Sequence, residues 1–203
     1  MAEPDARRPA DGAPPLLSIV VPCCNEEEVF PHLAAALRDL MDRLAPEARA
    51  EAILVDDGSR DGTWRRIEAF AAADPRVRGV SLSRNFGHQA ALTCGYDLAR
   101  GDAVVTLDAD LQDPPGAVPE MVARWRAGAD IVYAVRRRRG GETRFKRWSA
   151  ALFYRALRAL GAREVRPDTG DFRLIGRRCL EALRTMRESH RFLRGMVGWL
   201  GFV

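Results

Sequence analysis

The sequence predicts an α/β protein whose mainly parallel central sheet is covered by helices on both faces. Between residues 16 and 135, short apolar runs alternate with stretches of helical apolar spacing. This alternation is typical of a parallel sheet that carries helices on its two faces. Pro, Gly or Asp residues bound the apolar runs, so each predicted strand ends sharply.

Five apolar runs are predicted to be buried strands because they are short, continuous and rich in Val, Ile and Leu. They comprise residues 17–21, 52–55, 77–82, 103–107 and 131–135. Four amphipathic stretches between them are predicted helices, at residues 27–44, 63–73, 88–99 and 118–127. In the first of these, one helix face is marked by Phe30, Leu33, Leu37, Leu40 and Leu44.

The pattern changes after the fifth strand. Residues 136–147 contain seven basic residues and one acid, and we expect a mobile charged loop. Residues 145–160 are predicted to form an amphipathic helix, and residues 172–175 a short strand followed by a helix through residue 186. Residues 191–203 form an apolar end segment. The polar, Pro- and Ala-rich residues 1–15 are expected to be a disordered tail.

Composition narrows the class of protein. A length of 203 residues suits one domain, and four cysteines without CxxC spacing indicate reduced thiols. Lys146 is the only lysine among 32 basic residues. Genome base composition explains the number of arginines equally well, but their placement favours phosphate groups or an anionic membrane surface as partners. No nucleic-acid partner is expected. The sequence contains neither a GxGxxG nor a Walker motif, which argues against a dinucleotide oxidoreductase and a P-loop kinase.

Polar clusters follow each of the first four predicted strands. They span residues 22–26, 56–59, 83–88 and 108–113. Open parallel sheets bind ligands at the carboxyl ends of their strands, so these clusters are expected to share one edge of the sheet. The sequence therefore predicts a single site along that edge.

Asp108 and Asp110 are the sharpest feature of this edge. Alternate residues of an extended turn point the same way, and Gln112 adds a neutral oxygen, a set that suits Mg²⁺ or Mn²⁺ bridging a diphosphate. An isolated Asp-x-Asp is more often a helix cap or a solvated turn. The position after a buried strand, with Asp56 and Asp57 on the same edge, favours the metal site.

The neighbouring acids have a structural alternative. Asp61 or Ser59 is expected to cap the helix that follows, which leaves one of Asp56 and Asp57 to accept hydrogen bonds from a base or ribose. Glu26 is either a base-binding acid or a first-turn helix acid. Two of the three histidines, His32 and His190, are expected at the surface, whereas His88 lies on the edge and its role stays open.

Five segments occur together in one order along the chain. They are VVPCCNE at residues 20–26, VDDGSRDGT at 55–63, RNFG at 84–87, DADLQDPP at 108–115 and TGDFRL at 169–174. In combination they resemble the family 2 glycosyltransferases of GT-A fold. Within that family they are similar to the polyprenyl-phosphate glycosyltransferases, of the dolichol-phosphate mannose synthase and bactoprenol glucosyltransferase type.

The resemblance implies an inverting single displacement from a UDP- or GDP-sugar to a polyprenyl phosphate, with glucose the favoured hexose. It places a nucleoside-binding role on Pro22, Cys24, Glu26, Val55 and Asp57. It gives the nucleotide–metal motif as Asp108, Ala109, Asp110 and Gln112, with Mg²⁺ or Mn²⁺ as cofactor. It also implies a phosphate-binding Arg136 and an Asp171 that acts as catalytic base.

Physical chemistry leaves the role of Asp171 open. A phosphate acceptor is largely dianionic at neutral pH, since its second pKa is about 6, so it needs little help from a base. Asp171 is therefore either a base or orienting acid, or one half of a structural pair with Arg173. Charge on the departing diphosphate would be offset by a metal held by Asp110 and Gln112, with Asp108 nearer the ribose or metal, and by Arg136.

The resemblance also sets the expected domain organisation and location. Residues 16–203 match a GT-A catalytic domain, of which 143–203 form the acceptor- and membrane-proximal helical part. Relatives continue with further basic, amphipathic and transmembrane segments, so the sequence is expected to end before them. The protein is expected to act at the inner, cytoplasmic face of a membrane. The alternatives are a nucleotide-binding remnant without catalysis, a GT-A transferase with another acceptor, and a nucleotidyltransferase, which would normally carry a Gly-rich N-terminal loop.

Overall fold

The protein was analysed as a computed structural model, which describes residues 13–135, 169–186, 188 and 191–202. Several sequence-based expectations concern residues outside these ranges. They are residues 1–12 of the tail expected at 1–15, the basic loop at 136–147, the amphipathic helix at 145–160 and the surface position of His190. Arg136 also lies outside the described residues, so its phosphate-binding role stays a prediction.

The described residues form a six-stranded, mainly parallel sheet, as the sequence predicts. Its strands are β1 (Leu16–Cys23), β2 (Arg49–Asp56), β3 (Val77–Ser81), β4 (Ala103–Thr106), β5 (Ile131–Val135) and β6 (Thr169–Gly176). Their spatial order is β3-β2-β1-β4-β6-β5. β1 pairs in parallel with β2 and β4, and β2 with β3. β6 runs antiparallel to both of its neighbours, β4 and β5.

Six α-helices connect and cover these strands in the described part of the chain. They are α1 (Phe30–Leu44), α2 (Thr63–Ala73), α3 (His88–Leu98), α4 (Val118–Arg126), α5 (Arg177–Thr185) and α6 (Leu193–Trp199). α1 begins three residues later than predicted. The backbone N–H of Glu26 donates to Thr63 Oγ1 at 2.8 Å, and Glu27 Oε2 accepts from the N–H of Gly62 at 2.7 Å. These bonds hold residues 26 and 27 in a turn against the start of α2.

Apolar side chains pack on both faces of the sheet, which explains the continuous hydrophobic runs in its strands. In β1, Ile19 and Val21 pack on one face while Val20 packs on the other. The first face is covered by α1, α2 and α4, and the second by α3, α5 and α6. The expectation of helices on both faces is therefore confirmed. The polar residues that follow β1, β2 and β4 lie together at the carboxyl edge of the sheet.

Candidate active site

A cleft of about 420 Å³ opens at the carboxyl ends of β1, β2 and β4. Seven of the residues predicted to bind nucleotide or metal line it: Pro22, Cys24, Glu26, Asp57, Asp108, Ala109 and Asp110. Val55 lies beside Pro22 in the sheet, with its side chain buried in the core. Gln112 is exposed next to the cleft. The structure thus brings the predicted edge residues together, while their individual roles stay predictions.

Asp57 joins the end of β2 to the turn that precedes α3. Its Oδ1 accepts from the backbone N–H of Phe86 at 2.7 Å and its Oδ2 from that of Gly87 at 2.9 Å. The approach is close at Gly58, which has a φ of +65° and where a Cβ would lie 2.3 Å from the carbonyl carbon of Arg84. Asp57 therefore positions the turn that presents His88, besides lining the cleft.

The loop after β1 is fastened to the loop after β2. Asn25 adopts a positive φ of 56°; its N–H donates to Ser59 Oγ at 2.9 Å and its Oδ1 accepts from the N–H of Arg60 at 2.8 Å. Asp61 Oδ1 accepts from the N–H of Thr63 at 3.0 Å. Of the two capping candidates, Asp61 therefore contacts the start of α2, whereas Ser59 holds Asn25.

Several acidic side chains lie close together in the cleft. Partial burial, followed by the charges of Asp110 and Asp61, raises the pKa of Glu26. Burial also raises the pKa of Asp108, and the charges of Asp113, Asp171 and Asp110 add to this effect while His88 opposes it. A site where several carboxylates repel one another favours a bound cation.

The residues at Asp108 fit a divalent cation. Asp108 Oδ1 is buried and has no hydrogen-bond partner within the described ranges. The Nε2 of His88 lies 3.9 Å from it. Asp110 is exposed, and its Oδ1 accepts from the N–H of Gln112 at 3.0 Å. No group of three or more His, Cys, Asp or Glu side chains in the described chain is arranged to hold a metal ion. A divalent cation held by carboxylates of this turn would take its other ligands from elsewhere, such as phosphate oxygens.

Asp171, which contacts the cleft-lining His88, lies among three nitrogen donors. Arg194 Nη2 is 3.1 Å from its Oδ2, Arg173 Nη2 is 3.5 Å from its Oδ1, and His88 Nε2 is 3.5 Å from its Oδ2. Burial on its own would raise the pKa of Asp171, but these contacts outweigh it and lower that pKa to about 2. The predicted pairing of Asp171 with Arg173 is therefore present, and Arg194 and His88 join it.

Sequence reasoning did not single out Arg194 and left His88 open. Arg194 lies 23 residues beyond Asp171 in an apolar segment, so no motif spacing connects them. His88 follows the RNFG segment, and only its place on the edge of the sheet marked it. Its contact with Asp171 raises the pKa of its ring, with the charges of Asp108 and Asp171 adding to this, against the opposing effects of burial and Arg194.

Solved structures share this fold. Glucosyl-3-phosphoglycerate synthase from Mycobacterium tuberculosis, in complex with Mn²⁺, UDP and glucosyl-3-phosphoglycerate, has a TM-score of 0.59 at 25% identity, over 81% of this chain and 58% of that one. The mannosyltransferase PcManGT from Pyrobaculum calidifontis, in complex with GDP-Man and Mn²⁺, has a TM-score of 0.58 at 22% identity, over 84% and 47%. The fold is that of the GT-A glycosyltransferases.

The family follows from the sequence match. Residues 18–184 match the model of glycosyl transferase family 2, and the chain belongs to that family. An uncharacterized glycosyltransferase, YkcC, of Bacillus subtilis (strain 168) is 44% identical over 91% of this chain and 57% of its own length. The bactoprenol glucosyl transferase of Shigella phage SfV is 38% identical over 91% and 60%. The chain thus spans somewhat more than half the length of these relatives.

The described C-terminal segment exposes large apolar side chains. Phe192 is 54% exposed and Trp199 is 70% exposed, whereas Leu193 and Val197 of the same segment are fully buried. Within the residues that the structure describes, none of the helices combines the length and the apolar character needed to cross a bilayer. Phe192 and Trp199 lie on either side of Arg194 in the sequence, two residues before it and five residues after it.

Proposed function

We propose that this family 2 glycosyltransferase transfers a hexose, with glucose favoured, from a UDP- or GDP-sugar to a polyprenyl phosphate with inversion at the sugar. The observation that carries the proposal is the buried Asp108 Oδ1, which has no hydrogen-bond partner in the described part of the chain and belongs to an acid-rich cleft that suits a metal-bound diphosphate. The 38% identity to bactoprenol glucosyl transferases supports the sugar and the acceptor.

On the donor side, Pro22, Cys24, Glu26, Val55 and Asp57 would hold the nucleoside, and Ala109 would contact the nucleotide. Asp108, Asp110 and Gln112 would hold Mg²⁺ or Mn²⁺. When bound, this ion supplies positive charge that stabilises the departing diphosphate. Arg136 would contribute a second positive charge to the same phosphates.

The proposed reaction needs no proton removal. An oxygen of the acceptor phosphate attacks C1 of the sugar, and the bond between C1 and the nucleoside diphosphate breaks. The electron pair of that bond leaves with the diphosphate oxygen, so a sugar phosphodiester and a nucleoside diphosphate result. Because a phosphate monoester is largely dianionic at pH 7, Asp171 would orient the acceptor and its cationic neighbours more than it would accept a proton.

We also propose that the protein acts at the inner, cytoplasmic face of a membrane, where a polyprenyl phosphate is held. The exposed Phe192 and Trp199 support contact of residues 191–203 with the bilayer surface. The seven basic residues between 136 and 147 would add attraction to anionic lipids.

The test is a transfer assay with a short-chain polyprenyl phosphate, a panel of UDP- and GDP-sugars and Mn²⁺. We expect a lipid-linked sugar that depends on acceptor and metal, formed best from UDP-glucose. Phosphoglycerate is the matched soluble acceptor, because the synthase that shares the fold was solved with its glucosylated product. Transfer to phosphoglycerate alone would indicate a different acceptor class, and nucleotide-sugar binding without any transfer would indicate a nucleotide-binding remnant.

A further inference from the structure

Asp171 meets more positive charge than one carboxylate neutralises. Arg173 is completely buried and already supplies a guanidinium to Asp171 Oδ1. Arg194 adds a second guanidinium at Oδ2, and His88 approaches the same oxygen. A buried carboxylate needs only one such partner to be paired. The second guanidinium therefore requires another explanation.

Arg194 is held in place by its own helix. Leu193 and Val197 of α6 are completely buried. The backbone N–H of Leu193 donates to Gln89 Oε1 at 3.0 Å, so α6 is attached to the first turn of α3. That same turn carries His88. His88 thus contacts Asp171 directly, and the neighbouring Gln89 fixes the helix that carries Arg194.

Arg194 keeps hydrogen-bonding capacity for a ligand. Its side chain is 37% exposed, and its buried Nε has no partner in the part of the chain that the structure describes. A guanidinium has five N–H donors in a planar fork that matches the oxygens of a phosphate. The geometry therefore allows Arg194 to contact Asp171 and an incoming anion together.

The charge differs on the two sides of His88. Glu26, Asp108 and Asp110 line the cleft that is predicted to take the donor, whereas Arg173 and Arg194 contact Asp171 on the other side of His88. His88 stands between them, 3.9 Å from Asp108 and 3.5 Å from Asp171. Complementary charge selects a ligand by its sign. The second side is thus suited to an anionic acceptor, and the lowered pKa of Asp171 suits one that needs no deprotonation.

We propose that Arg194 is an acceptor-binding residue, whose guanidinium lies between Asp171 and the phosphate of the acceptor and contacts both, with His88 nearby. This inference rests on the proposed function and names a residue that selects its substrate. Arg194 would set the affinity for the phosphorylated acceptor, and the donor nucleotide would bind independently of it.

The experiment compares Arg194→Gln and Arg194→Lys with the unchanged chain, at varied concentrations of short-chain polyprenyl phosphate. We expect Arg194→Gln to raise the KM for the acceptor at least about tenfold, the effect of losing a charge-assisted hydrogen bond. Arg194→Lys should recover part of that loss. Titration with the nucleoside diphosphate and Mn²⁺ should give the same affinity for all three chains. Arg43→Gln is the matched control, because Arg43 pairs with the single carboxylate of Asp39 at the far end of α1.

Direct binding of the acceptor, without donor, separates this inference from the proposed function. Acceptor binding that weakens in Arg194→Gln supports Arg194 even when no chain transfers sugar, an outcome that would refute only the proposed function. A fall in kcat with unchanged KM and unchanged acceptor binding would make Arg194 a support for Asp171 and overturn the inference. Equal acceptor affinity in all chains would overturn it as well.

Discussion

Asp108 and Asp110 belong to the same short turn but have different surroundings. Asp108 is half-buried and its Oδ1 has no hydrogen-bond partner among the described residues, whereas Asp110 is exposed and its Oδ1 accepts from the N–H of Gln112. The hydrogen bond shapes the turn, and both residues line the cleft. Asp108 thus contributes mainly a partly buried negative charge, whereas Asp110 contributes a charge and also holds the shape of the turn.

Replacing Asp110 by Asn should separate these two contributions. The side-chain oxygen of Asn still accepts from Gln112, so the turn should persist while the charge is lost. We expect sugar transfer to fall by at least about 10²-fold, the scale of removing a principal electrostatic stabiliser, together with weaker Mn²⁺ dependence of nucleotide binding. Asp39→Asn, an exposed carboxylate on α1, is the control. Full activity in excess EDTA would disprove the metal requirement.

Asp171→Asn keeps the size of the side chain while removing its charge. Donor affinity should survive because Asp171 is not among the residues proposed to bind the donor, but turnover should fall since the acceptor would no longer be oriented among Arg173, Arg194 and His88. Nucleotide titration and transfer rates from pH 6 to 8 measure the two effects. Turnover equal to that of the unchanged chain over this range would leave Asp171 a structural partner of Arg173.

The connection between α2 and β3, at the edge of the sheet away from the cleft, holds α1, α2 and β3 together by hydrogen bonds. Asp74 is buried and accepts from the N–H of Arg76 at 3.0 Å and from its guanidinium at 2.8 Å. The same guanidinium reaches Asp42 of α1 at 2.7 Å. A single turn therefore ties α2, β3 and α1 together. These hydrogen bonds, against the opposing effect of burial, lower the pKa of Asp74.

This lowered pKa predicts a pH-dependent contribution to stability. The carboxylate of Asp74 stabilises the fold above the unfolded aspartate pKa of about 3.9, and this contribution is lost as the pH falls through the lower folded value. At pH 7, Asp74→Asn should reduce the free energy of unfolding by about 1–3 kcal/mol. Urea titrations should show the same loss of unfolding free energy in Asp74→Asn at pH 7 and pH 5, and a smaller loss at pH 3.5. A difference that widens towards acid pH would contradict this account.

At the scale of the whole molecule, the proposed acceptor has a lipid tail, so the protein has to meet a membrane surface. The candidate regions are the basic residues 136–147, residues 148–160 and the apolar residues 191–203. Each basic residue near an anionic leaflet contributes about 1 kcal/mol, screened over roughly a Debye length. Several together give reversible binding that weakens with salt.

We therefore expect co-sedimentation with anionic vesicles at low salt and release at high salt. Replacing Arg137, Arg138 and Arg139 with Ser should weaken vesicle binding and leave nucleotide binding intact. Equal binding to neutral and anionic vesicles would assign the contact to the apolar C-terminal residues instead. If the chain bound neither kind of vesicle, the membrane contact proposed for these regions would be wrong.

The first five strands, the first four helices and the edge on which the polar clusters lie could be predicted from the sequence, whereas the helix at Leu193–Trp199 was not predicted. Hydrophobic periodicity is a local property, and residues that end parallel strands necessarily share one edge. This is why Asp57, Asp108 and Asp110 were expected in one cleft. The late start of α1 escaped prediction, because the bonds that delay it come from α2.

Which distant segments meet became clear from the packing of the folded chain. β6 inserts antiparallel between β4 and β5, and the apolar pattern of a strand indicates buried faces but not neighbours. The same insertion places Asp171 opposite Asp108, with His88 between them. Arg194 reaches Asp171 because α6 packs against α3. Such a contact depends on the packing of whole elements, so no local spacing in the sequence reveals it.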